Sequence, residues 1–154
     1  MAISIEKLAV VLRRQAEEVL AAHPGLQHEW VDQGAIVTLK FSPVDRTGFE
    51  VAVQAGAGYL HVLMGRNHDS FDVGECGADE AVSCALALVR DLLSPDMRLR
   101  EIRSSGAPYK WFVEARASEG WRCESETGLL FFNYFGRRSE HIFQNRQLPG
   151  RLAG

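Results

Sequence analysis

The residue pattern predicts an α+β fold: two helices packed on antiparallel β-meander sheets, in the order helix, three or four strands, helix, four or five strands. Two segments, 4–22 and 78–93, repeat apolar residues at helical spacing. Two others, 37–73 and 97–144, alternate apolar and polar residues with glycine and proline between the runs, which is the mark of antiparallel hairpins.

The first helix is expected over Ser4–Ala22. Ile5, Leu8, Leu12, Ala16, Val19 and Leu20 share one stripe, Ser4 suits the N-cap, and Pro24 with Gly25 stops the helix. Residues 23–34 read as a polar connector from which Trp30 and Val31 pack back onto the core. Strands follow at Val37–Phe41, Phe49–Gln54 and Leu60–Met64, separated by the turns at 43–48 and 55–58, with a short fourth strand near Asp69–Val73. The second helix spans Ala78–Leu93. Val82, Ala85, Leu86, Val89, Leu92 and Leu93 form its apolar face, Asp79 and Glu80 favour its positive end, and Ser94-Pro95 closes it.

Further strands are expected near 97–104, 109–116, 119–126 and 128–135, with a last one near 139–144. Leu129–Phe135 is apolar on both faces, so it reads as a central strand covered on both sides or as one that meets a partner. The whole is taken as a single domain over 1–143, with 144–154 a flexible, Gly/Pro-punctuated tail. A weak internal echo, VAVQAGAGY at Val51–Tyr59 against VEARASEGW at Val113–Trp121, raises a duplication as an alternative to chance recurrence of turn residues.

A chain of 154 residues, 46% hydrophobic and 24% charged, can bury a core without staples. Three cysteines without CxxC spacing give neither a disulfide framework nor a zinc motif. No run approaches the roughly 20 apolar residues of a membrane span. A cytoplasmic setting is expected, with no membrane contact and no cofactor. The net charge of −3 argues against bulk nucleic-acid binding. It is unevenly spread: seven basic and fourteen acidic residues lie in 1–96, ten basic and six acidic in 97–154.

No nucleophile, metal or phosphate-loop motif appears. His61 is the most interesting of the five histidines, since it lies opposite the apolar face of its strand, and Tyr59, His61, Trp111 and Trp121 are candidate pocket residues. Asp69, Asp72, Glu75, Asp79 and Glu80 make segment 66–80 acidic and are the candidate partner-binding residues. Arg98, Arg100, Arg103, Lys110, Arg116 and Arg122 are interleaved with Glu101, Glu114, Glu124 and Glu126, and cross-strand ion pairs are their expected role. The AGAG stretch at 55–58 joins two strands and is a hairpin turn. Cys84 and Cys123 read as buried structural thiols.

These observations lead to a non-enzymatic protein-binding module, a bacterial factor of the immunity-protein or chaperone type, with a basic protein as its partner. The alternative is a small-molecule-binding domain, or an enzyme whose dispersed site lies between sheet and helices. Self-association is a third expectation, either through the positive second half of one chain against the negative first half of another or as a homodimer through the 128–135 segment.

Overall fold

A computed structural model describes residues 4–151. The chain divides into two compact units. The first comprises Met1–Ser42, Glu50–Met64 and His68–Arg90; the second comprises Pro43–Phe49, Gly65–Asn67 and Asp91–Gly154. The fold is α+β, with a five-stranded and a four-stranded antiparallel sheet and three helices. Among the described residues no helix is long and apolar enough to cross a membrane.

The first unit opens with α1 (Ile5–Ala22), capped by the Ser4 hydroxyl, which accepts from the Lys7 amide. Its buried stripe is Leu8, Val11, Leu12 and Ala16, and it lies against β3. The sheet is a plain meander of β1 (Glu29–Gln33), β2 (Ile36–Phe41), β3 (Val51–Ala55), β4 (Tyr59–Met64) and β5 (Asn67–Asp72), paired in chain order. Leu39, Phe41, Val51, Val53, Leu60, Val62 and Met64 are buried from alternate positions, as period two requires. The expected connector therefore contains a strand. Exposed Glu29, Asp32 and Gln33 suit β1 to the edge, where one side of the strand faces water. Trp30 and Val31 are half-buried on it. A single turn, α2 (Val73–Cys76), leads through Gly77 into α3 (Ala78–Leu92), whose last two residues belong to the second unit.

The second unit holds β6 (Met97–Ser104), β7 (Ala107–Ala117), β8 (Gly120–Gly128) and β9 (Arg138–Phe143) in the order β8-β7-β6-β9. Met97, Leu99, Trp111 and Val113 fill one face. The β6–β7 hairpin turns at Ser105-Gly106, both at positive φ, which is the backbone a two-residue hairpin loop demands.

Two expectations are corrected here. Residues 129–137 are not a strand: β6 takes β9 as its second neighbour, so the chain leaves β8 and crosses to the far edge of the sheet. The segment expected as a loose tail is docked up to Arg151. The Gln144 amide donates to the Thr47 carbonyl at 2.7 Å, those of Gln147 and Leu148 donate to Leu93, and that of Arg151 donates to Asp96 Oδ2 at 2.6 Å. Asn145, only 2% exposed, anchors this stretch. Its Oδ1 accepts from the Phe49 amide at 3.1 Å, and its Nδ2 donates to the carbonyls of Phe49 and Leu92 at 3.0 and 3.1 Å. The polar composition that suggested fraying is here satisfying buried backbone.

The echo falls on the β3–β4 and β7–β8 hairpins. The strand orders of the two sheets differ, so the likeness is confined to the hairpin.

Removing the Asn145 amide strands two carbonyls and one N–H in a buried place. Asn145→Ala is expected to cost about 2–4 kcal/mol in a denaturant titration, whereas Arg146→Ala, at an exposed neighbour, stays within about 0.5 kcal/mol.

Candidate functional site

The crossing from β8 to β9 produces the most unusual surface of the second unit. Leaving Gly128, the chain places Leu130, Phe131 and Phe135 outward at 82%, 88% and 100% exposure, with Leu129 and Tyr134 also exposed. Burying such a side chain is worth roughly 1.5–3 kcal/mol, so three of them in water forgo a sizeable part of a typical domain's stability.

This loop is braced at every turn. The Leu129 amide donates to the Tyr109 carbonyl at 2.8 Å. Phe132 turns inward and stacks on Tyr109, centroids 3.9 Å apart and planes 11° from parallel, and Tyr134 packs on Phe132 at 4.2 Å. The Arg138 guanidinium lies 4.9 Å from the Tyr109 ring and 5.1 Å from Phe132, and it donates to the carbonyls of Asn133 and Tyr134 at 3.0 and 3.1 Å. The Ser104 hydroxyl donates to the same Asn133 carbonyl. Asn133 Oδ1 accepts from the Phe135 amide, and the Tyr134 hydroxyl donates to the Leu130 carbonyl at 2.7 Å. Gly136 passes against the Ser104 and Ser105 hydroxyls where a Cβ would collide with both, and the Ser105 amide donates to Arg137 O at 2.9 Å. The inward groups fix the backbone, and the outward groups are apolar. Such an arrangement presents a preformed apolar projection, for which ordering costs little on binding.

The outer face of the same sheet carries the expected cross-strand pairs. Arg98 and Arg100 donate to the two oxygens of Glu114 at 2.6 and 2.8 Å, Lys110 meets Glu126 at 2.7 Å, and Arg100 reaches Glu140 at 3.5 Å. Aromatic rings fill the gaps: Arg98 lies 4.2 Å over Trp121 and Arg100 4.2 Å over Phe112. Burial of Glu114 works against its charged form. The hydrogen bonds from Arg100 and Arg98, with their positive charge, outweigh that and hold its carboxyl below the usual range. On the opposite face Glu101 accepts from Trp111 Nε1 at 2.9 Å and from Arg103 at 2.6 Å.

The sequence-predicted pocket residues do not come together as a set. Trp111 is buried, while half-buried Trp121 sits on the arginine face of the same sheet, so the two lie on opposite sides. Tyr59 and His61 share the exposed face of β4, with ring centroids 6.3 Å apart. Of the acidic set, Asp69 accepts from the Ser70 amide, Asp72 caps α2 through the Gly74 amide at 2.7 Å, and Asp79 pairs with Arg14. Glu75 and Glu80 point into solvent. Cys84 and Cys123, expected to be buried, are exposed, as is Cys76. Cys84 falls on the outward side of α3, and Cys123 sits beside the irregularity in the β7–β8 register, on the solvent face.

Two open clefts of the second unit measure about 140 and 190 Å³. Val44, Asp45, Gly48 and Asn145 are among the residues lining the first, and Asp91, Asp96, Met97 and Arg151 among those lining the second. Both are smaller than the roughly 300–1,000 Å³ of ordinary ligand pockets. Among the described residues no three His, Cys, Asp or Glu side chains group to hold a metal ion. In comparison with known proteins, the chain matches no family model, no curated protein and no solved structure.

Sequence reasoning singled out the Leu129–Phe135 segment but missed its braces Ser104, Asn133, Gly136 and Arg138. The one local sign is Asn133 interrupting six apolar residues just before Gly136, a pattern that suits a loop better than a strand.

A carboxylate whose pKa folding lowers stabilises the fold above its unfolded pKa, near 4.3, and loses that contribution as pH falls through the folded value. Glu114→Gln is therefore expected to lose about 1–3 kcal/mol at pH 7, with the gap to the parent chain narrowing as pH falls below the unfolded carboxylate range, as measured by denaturation at each pH. Arg138→Ala is expected to speed amide hydrogen exchange at Phe135 and Gly136 at least tenfold while core strand amides in β6 and β7 stay protected.

Proposed function

We propose that this chain is a non-enzymatic protein-binding module, a small cytoplasmic bacterial factor of the immunity-protein or chaperone kind, and that the Leu129–Phe135 loop is its principal contact with a partner. One observation carries the reading: three large apolar side chains held almost fully in water by a loop whose own polar groups are hydrogen-bonded inward. A folded chain keeps such a costly surface where a second molecule covers it. Phenylalanine seated in a partner's pocket is a fitting interface anchor, and aromatic residues are enriched at interface cores. Exposed Asp69, Glu75 and Glu80 on the first unit add long-range attraction for a basic partner, which acts on the association rate more than on affinity.

The test is capture from an extract of the native source on immobilised protein, comparing the parent chain with a Phe131→Ser/Phe135→Ser variant. The parent is expected to retain a discrete protein stoichiometrically. The variant should bind it roughly a thousandfold more weakly, from about 2 kcal/mol lost at each of the two anchors, with stability within about 0.5 kcal/mol of the parent's. Equal retention by both would remove the loop from the interface.

A further inference from the structure

We propose that His61 and His68, on the exposed face of the first unit's sheet, form a two-imidazole site for a divalent transition-metal ion of the zinc type. The two residues sit on adjacent strands β4 and β5, with ring centroids 6.4 Å apart and planes 71° from parallel. Two imidazoles bound to one tetrahedral ion at about 2.0–2.1 Å have ring centroids roughly 5–5.5 Å apart. Closing the present gap takes about an ångström, within the reach of side-chain rotation at exposed His68.

His61 is already oriented for ligation. Its Nδ1 lies 2.8 Å from Ser70 Oγ, and the Tyr59 ring stacks beside it. The contact holds the ring in place, and in the tautomer whose Nδ1–H donates to the Ser70 hydroxyl Nε2 keeps its lone pair for a metal, the arrangement that metal-binding histidines use. The local charge is favourable: Asp72 lies on the same face of β5 as His68, and its carboxylate has no ion pair among the described contacts. Opposite His61 on β3, and so on the same face, is Gln54, whose Nε2 donates to Thr38 Oγ1. Water completes an open coordination sphere. The ion would pin the edge strand β5 to β4, so binding raises stability by mass action. This site is independent of the docking loop, which lies in the other unit.

The experiment titrates zinc chloride into the full chain, following heat and melting temperature, with magnesium chloride as a parallel titration. One saturable equivalent of zinc is expected, with a rise in melting temperature that magnesium does not produce. His61→Asn and His68→Asn should each weaken zinc binding at least tenfold. Ser70→Ala, which removes only the orienting hydroxyl, should weaken it tenfold or more while the unliganded melting temperature stays put. Undiminished zinc binding in His68→Asn overturns the proposal. So does loss of binding when Cys76, Cys84 and Cys123 are all changed to serine, since the exposed thiols would then be the ligands.

Discussion

The backbone pairing of β9 with β6 governs the second unit. Leu99 to Ser104 of β6 pair in sequence with Phe143 back to Arg138, occupying the edge of β6 that β8, already paired with β7, could not fill. The chain leaving β8 must therefore travel three strand spacings, roughly 14 Å, across the end of the sheet where the β6–β7 hairpin turns. Residues 129–137 make that crossing. A segment running across strand ends cannot also lie along them, so its apolar side chains have no facing strand to bury them. The same path brings it over Ser104, Ser105 and Tyr109, which supply the anchors that hold it.

The loop's inner and outer faces divide the work of stability and recognition. Phe132, Tyr134, Asn133 and Arg138 make the contacts that settle the backbone, and their polar atoms meet one another or the hairpin below. The side chains of Leu130, Phe131 and Phe135 take no part in this bracing, although the Leu130 carbonyl and the Phe135 amide do. Stability is thus drawn from residues that recognition does not need, and a partner can be gripped without first ordering the segment. The exposed charge lattice on the outer face of the same sheet has a different character. Glu114 lies between two arginines in a partly desolvated place where pairing is worth more than on an open surface, whereas Lys110–Glu126 is an exposed pair of small net value.

Much of the fold is legible from local pattern. Helices α1 and α3 announce themselves through apolar residues at helical spacing and clear stops. Strands β2, β3, β4, β6, β7 and β8 do so through alternation bounded by glycine and proline. Edge elements are less legible. β1 buries too little for its period to register, and its Glu, Asp and Gln read as a loop although an edge strand tolerates them well. The docked end of the chain is hidden for a related reason: Asn145 and Leu148 are buried within a polar stretch, and nothing local distinguishes an asparagine bonded to Phe49 and Leu92 from one in water. At the site, composition marks Leu129–Phe135 as out of the ordinary but assigns it the conformation of a buried strand, while Trp111 and Trp121, alike in sequence, end on opposite faces.

By itself, then, the sequence determines the two helices, the two runs of antiparallel hairpins, the Arg–Glu ladder on a strand face and the presence of an apolar surplus after β8. Each of these is a property of near neighbours along the chain, where side-chain period and turn chemistry act directly. The tertiary structure alone decides that the strands split into two sheets, that β9 takes the free edge of β6, and that the apolar surplus is left in water. These depend on which distant backbone edge offers its hydrogen bonds, and a hydrogen-bonding edge carries no mark in the residues that will come to fill it.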